Sequence, residues 1–228
     1  MNDRTLAPNW NAPARRSSAA HIATHRVLRN TYALLAMTLG WAAAVATAGV
    51  AFDWRHPGPI VSLLGTLCLF FVVHKLRNSG WALPAVFALT GFMGYTLGPV
   101  LNAVAGLPGG AASIAMALGT TGVTFLGLSA FVLVTRKDFS FMGGFLMIGM
   151  IVALVAGLAA LFLEIPALSL AVSAAVALLS AGLILFETSR IVQGGETNYV
   201  MATVGLFLSV YNLFVSLLSL FGFSSAGE

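Results

Sequence analysis

Seven long apolar stretches, separated by short polar segments, make up most of the chain. They lie at about residues 27–50, 59–75, 81–105, 111–135, 140–163, 167–189 and 199–221. Each stretch is long enough to cross a hydrocarbon layer of ~30 Å as an α-helix that rises ~1.5 Å per residue. The pattern predicts an all-α integral membrane protein in which residues 27–222 form a seven-transmembrane-helix bundle.

The amino-acid composition agrees with a protein surrounded by lipid, since 59% of the 228 residues are hydrophobic and 8% are charged. An ordinary soluble domain contains about 25% charged residues. The first 26 residues are polar, with several Pro, Ser, Asn and Arg, and have too little apolar area to fold alone. We expect residues 1–26 to be a flexible basic tail and residues 223–228 to be a short second tail.

Ten of the eleven Lys and Arg residues fall on one side of the predicted membrane. They lie around the N-terminal tail and after the second, fourth and sixth stretches, whereas Arg55 lies on the opposite side. The positive-inside rule predicts a cytoplasmic N-terminal tail and, with an odd number of spans, an external C-terminal tail. Because the cations are spread over four short segments, the net charge of +4 predicts no nucleic-acid partner.

The chain lacks the motifs of common catalytic sites. None of the four histidines lies deep enough in a span to activate Ser129, which occurs in a "GLSA" segment. There is no HExxH sequence, no glycine-rich phosphate loop and no pair of intramembrane aspartates. We therefore predict that the protein is not an enzyme, and the sequence predicts no cofactor or metal site.

The seventh stretch carries a stripe of small and polar residues at helical spacing. Its members are Ala202, Gly205, Ser209, Asn212, Ser216 and Ser219. Such stripes mark helix contacts in membranes, where close backbone approach and hydrogen bonds between helices replace the hydrophobic drive. The stripe predicts an inward face for this helix. The amide of Asn212, roughly halfway across, belongs either to a helix contact or to a polar cavity.

Glu187 ends the uncharged run that begins after Glu164. An ionised side chain in hydrocarbon costs roughly 2.5 to 3.5 kcal/mol on the mildest insertion scales, so this carboxylate needs water, a cation or a proton. Arg190, three residues later, lies on the same helix face and predicts a local ion pair. The helix dipole disfavours a carboxylate at the C-terminal end of a helix, which argues against a purely structural ion pair. Glu187 and Arg190, together with Ser209 and Asn212, are therefore the candidates for a polar latch or an ion site.

The segment "QGGETN" after the sixth stretch predicts a helix break. Gly194 or Gly195 suits the left-handed position that ends a helix. Thr197 or Asn198 suits the N-cap of the following helix. Folding the two helices back about Gly195 places Thr203, and not Ser209, level with Glu187.

Two long segments resemble the Bax inhibitor-1 family, and most closely its bacterial YccA-like branch. One is "LILFETSRIVQGGETNYVMATVGLFLSVYNLFVSLLSLFG", which spans the last two stretches, and the other is "VHKLRNSGWALPAVFALTGFMGYTLGPVLN" around the third. With the seven-span pattern, the resemblance covers about residues 27–222. It implies a bacterial inner-membrane protein whose seventh helix is central and surrounded by the other six.

The family resemblance implies two functions beyond contact with the lipid bilayer. YccA-like members are substrates and modulators of the membrane-anchored AAA protease FtsH, whereas other members are pH-sensitive calcium leak channels gated by two aspartates. Those aspartate positions hold Glu187 and Ser209 here, so the second acid is missing. We therefore expect the protein to bind and modulate FtsH, as slow substrate or competitive inhibitor. A leak channel with Ca²⁺ or H⁺ as its ligand is the alternative.

Overall fold

The computed structural model describes the backbone of residues 12–226 and the side chains of residues 24–223. Within these residues every regular element is helical. The helices are α1 (Ala12–Ala51), α2 (Pro59–Leu76), α3 (Ala82–Ala105), α4 (Gly110–Thr135), α5 (Gly143–Leu163), α6 (Pro166–Val192) and α7 (Tyr199–Ala226), with a short 3-10 helix at Ser140–Met142 before α5.

The seven predicted spans are confirmed, because the described residues contain seven helices that are long and apolar enough to cross a membrane. Their limits differ from the predicted ones by at most three residues. The N-terminal boundary differs more: α1 already begins at Ala12, so residues 12–26 are helical where the sequence predicts a flexible tail. Residues 1–11 and 227–228 lie outside the described residues, and the division into tails and bundle stays a prediction.

Helix α7 packs against α1, α3, α4 and α6, while α2 packs mainly on α3 and α5 mainly on α6. The central position predicted for the seventh helix is therefore not confirmed in full, because α2 and α5 lie at the periphery. The largest core cluster joins α1, α3 and α7 through side chains such as Leu35, Leu89 and Phe207, each at most 2% exposed. The end of the bundle where α1 begins is called the basic end; it carries Lys75, Arg77, Arg136, Lys137 and Arg190.

Helices α1 and α3 form a close backbone contact, which explains the glycines of the third span. A β-carbon on Gly98 would lie 3.0 Å from the Ala46 carbonyl oxygen and 3.0 Å from the Gly49 Cα atom. Gly94, one turn earlier, faces Ala42 in the same way. Only glycine allows the two backbones to approach this closely, as in other packed membrane helices.

The α6–α7 loop is fixed at the basic end by its own hydrogen bonds. Gly194 adopts the left-handed conformation with φ of 76°, and the Gly195 N–H donates to the Arg190 carbonyl at 2.8 Å. The Asn198 side-chain oxygen accepts from the Val200 N–H at 2.9 Å. These bonds confirm two of the predicted positions, Gly194 as helix terminator and Asn198 as helix cap. The Asn198 amide also donates to the Arg77 carbonyl at 3.1 Å, which joins this loop to the α2–α3 loop.

Candidate functional site

Glu187 lies in the last turns of α6 and faces α7. Its side chain is 15% exposed. A β-carbon on Gly205 would lie only 2.9 Å from the carboxyl carbon of Glu187. The missing side chain at Gly205 therefore makes the space that the carboxylate occupies.

Arg190 is shared between two carboxylates. Its guanidinium lies 3.6 Å from the Glu187 carboxylate and 3.1 Å from that of Glu196, and 5.4 Å from the centre of the Phe186 ring. The predicted pair of Glu187 with Arg190 is present, but the sequence analysis missed Glu196. The cluster of Glu187, Arg190 and Glu196, which we call the acid–arginine cluster, holds two acids against one cation.

Ser209 does not join this cluster. Its hydroxyl donates to the Gly205 carbonyl at 3.0 Å, one turn back along α7, and its residue is 3% exposed. The Glu187 carboxyl group lies against Gly205 on α7, and the level of Thr203 with Glu187 stays a prediction. Successive residues of a helix are rotated by ~100°. The Thr203 hydroxyl donates to the Tyr199 carbonyl at 2.7 Å, one turn back along α7, and also lies 3.3 Å from the Thr31 carbonyl of α1.

A cavity of about 780 Å³ opens beside the acid–arginine cluster. It lies between α2, α5 and α6, where the two peripheral helices leave a gap, and its walls are mostly apolar side chains such as Leu63, Met150 and Phe186. Glu187, Arg190 and Asn212 are its polar residues. Asn212 thus lines a mostly apolar cavity, and the choice between a helix contact and a polar cavity for its amide stays open.

The acid–arginine cluster does not have the composition of a metal site. Among the residues that the structure describes, no three His, Cys, Asp or Glu side chains are grouped closely enough to hold a metal ion. Ca²⁺ takes about six to eight oxygen ligands, whereas the cluster supplies two carboxylates that already share a guanidinium. Its chemistry is that of an ion-paired contact between the end of α6 and the loop that leads to α7.

The fold and this cluster define a multi-pass, all-α integral membrane protein, and comparison with known proteins gives its family. The family model described as "Inhibitor of apoptosis-promoting Bax1" matches residues 24–226. The chain therefore belongs to the Bax inhibitor-1 family, which confirms the resemblance found in its sequence.

Several bacterial proteins are similar to the chain over most of its length. The "Modulator of FtsH protease YccA" of Escherichia coli K12 is 52% identical over 90% of this chain and 93% of its own length. The "Inner membrane protein YccA" of Escherichia coli O6:H1 has the same identity and coverage. An uncharacterized protein of Pseudomonas aeruginosa is 51% identical over 89% of this chain and 91% of its own.

Proposed function

We propose that this protein binds the membrane protease FtsH and modulates it, as a slow substrate or a competitive inhibitor. The observation that carries the proposal is the 52% identity, over 90% of the chain, to a relative named for modulation of that protease. The relative named as an inner-membrane protein supports the bacterial inner membrane as the location. Co-purification of the tagged protein with FtsH from membranes is the direct test, and its absence would remove the proposal.

The basic end of the bundle is proposed to face the cytoplasm. The support is the positive-inside rule, since nine of the ten Lys and Arg residues within residues 12–226 lie toward this end. With seven spans, the C-terminus then lies on the periplasmic side. We expect a C-terminal alkaline phosphatase fusion to be active and a C-terminal green fluorescent protein fusion to be dark. An inactive alkaline phosphatase fusion together with a fluorescent green fluorescent protein fusion would mean that the C-terminus lies in the cytoplasm and the basic end faces the periplasm.

A protease that pulls on a chain end needs a handle outside the membrane, and the N-terminal segment before Thr24 supplies one. A flexible segment of 26 residues would reach about 25 to 30 Å. The helix at residues 12–23 instead extends about 18 Å at ~1.5 Å per residue. By either estimate, a segment of this length can extend beyond the hydrocarbon layer.

Deleting residues 2–23 should lengthen the half-life of the protein severalfold in cells and leave its co-purification with FtsH intact. The reason is that the deletion removes the handle and leaves all seven spans, whose extraction requires their backbone hydrogen bonds to break. The half-life is measured after synthesis is blocked, in cells with and without FtsH. A deletion of residues 2–11 is the matched shorter variant. Unchanged turnover after both deletions would show that the protease does not pull from this end.

Calcium leak should be weak or absent from the wild-type protein. The second acid of the leak-channel pattern is replaced by Ser209, whose hydroxyl is bonded to the Gly205 carbonyl at 3.0 Å. Calcium flux into liposomes, measured over a pH series for wild type, Glu187→Gln and Ser209→Asp, tests this. Leak that appears only in Ser209→Asp would support the interpretation that the missing second acid is the reason why the wild-type protein does not conduct calcium. A robust pH-gated leak from wild type that Glu187→Gln abolishes would instead make this protein a channel.

A further inference from the structure

A second cavity, of about 280 Å³, lies at the basic end between α1, α4 and α6. Two side chains from different helices that can bind an anion line it, the imidazole of His25 at the start of the first span and the guanidinium of Arg136 directly after the fourth. Its other walls include the apolar side chains of Leu28, Leu133 and Val192. We call this cavity the α1–α4–α6 pocket.

The guanidinium of Arg136 has no ion pair among the described residues. Both ion pairs of the described residues use Arg190, so His25 and Arg136 have no acidic partner there. The nearest acid along the chain, Asp138, accepts a hydrogen bond from the Ser140 N–H at 2.8 Å. Hydrogen bonds from Ser140 hold the pKa of Asp138 below its usual range, and Ser189 adds to them. The Asp138 carboxylate is therefore held by neutral donors and forms no ion pair with Arg136 among the described residues.

The backbone around Arg136 is held in place and is therefore suited to present a binding group. Arg136 ends α4 in the left-handed conformation, with φ of 50°. Its carbonyl accepts a hydrogen bond of 2.7 Å from the Gln193 side chain at the end of α6. This bond links the ends of α4 and α6 at the wall of the pocket.

The position of the pocket indicates which anion it fits. His25 and Arg136 lie at the limits of two spans, Thr24–Ala51 and Gly110–Thr135, which is the depth of lipid headgroups. Basic pockets between transmembrane helices at this depth bind anionic headgroups, and the apolar walls below provide for the first carbons of an acyl chain. We propose that the α1–α4–α6 pocket binds the phosphate of an anionic phospholipid from the leaflet at the basic end.

The test measures binding of phosphatidylglycerol and phosphatidylcholine to the full-length protein by native mass spectrometry. We expect phosphatidylglycerol to bind more tightly, and Arg136→Gln to weaken it about fivefold, the usual effect of one cation at a membrane surface. Arg136→Lys keeps the charge and should stay within about twofold of wild type. Lys75→Gln is the matched control, because it removes one cation from the basic end without touching the pocket.

Three outcomes would overturn the proposal. Equal losses for Arg136→Gln and Lys75→Gln would mean that the basic end attracts anionic lipid through its overall charge. Equal binding of the two lipids would mean that the pocket does not select an anion. Displacement of the lipid by millimolar inorganic phosphate would make the site one for a soluble anion. Thermal unfolding of each variant in the same detergent separates loss of binding from loss of folding.

Discussion

Replacing Gly98 by valine should shorten the half-life of the protein in cells severalfold and lower its free energy of unfolding by about 1–3 kcal/mol. The first added carbon would already lie 3.0 Å from two backbone atoms of α1, which cannot rotate away as a side chain would. Helix α1 must therefore move off α3, and the core between α1, α3 and α7 loses contacts. Thermal unfolding in detergent and turnover after a block of synthesis measure the two effects.

The matched control for Gly98→Val is Gly119→Val on α4. Both changes place a β-branched residue within a membrane helix, but nothing lies within 4 Å of a β-carbon on Gly119. The control variant should therefore unfold and turn over like wild type. If both valines destabilise the protein equally, the loss of stability comes from the low helix propensity of valine, and the α1–α3 contact has no special role.

Replacing Arg190 by glutamine should lower the free energy of unfolding by about 1–3 kcal/mol, because it leaves two carboxylates without their cation. A fully buried pair would cost more, about 3–5 kcal/mol, but the Arg190 side chain is 33% exposed and solvent screens part of the charge. Glu187→Gln should be milder, since Arg190 keeps Glu196 at 3.1 Å. Thermal unfolding of the purified variants in detergent, at low and high salt, measures the loss of stability in Arg190→Gln and in Glu187→Gln.

A double variant tests whether the acid–arginine cluster acts as one unit. Glu187→Gln added to Arg190→Gln should recover part of the lost stability, because it removes one of the two unpaired acids. Arg77→Gln removes a cation from the same end that has no ion pair among the described residues, and it should change unfolding little. Additive losses in the double variant would contradict a latch made by these three residues.

The positions of the spans could be predicted from the sequence because hydropathy is a local property of each segment. The glycine and cap of the α6–α7 loop were predictable for the same reason, since Gly194 and Asn198 act on the neighbouring backbone. The rotation of each helix about its axis depends on packing partners that are distant in the sequence. This is why Gly205, and not Thr203, faces Glu187.

Two other features were not predictable because they depend on how separate elements meet. Glu196 lies in a loop, and its pairing with Arg190 requires the tight turn after α6 to bring the two side chains within 3.1 Å. The large cavity beside Glu187 exists because α2 and α5 pack on different neighbours. The polar residues of this cavity stand out in their own stretches, but the gap that brings them to one cavity has no signal in the hydropathy of one stretch.

The α1–α3 contact has a mechanical consequence. The two helices run in the same direction, because Gly94 faces Ala42 and Gly98 faces Ala46. A force on the N-terminus directed out of the bilayer would slide α1 lengthwise along α3, so contacts along the whole interface would bear the load together. Shear of this kind needs a larger force than peeling, in which contacts break one after another. A molecular motor that engages this end would meet the most extensive helix interface of the bundle as its first obstacle.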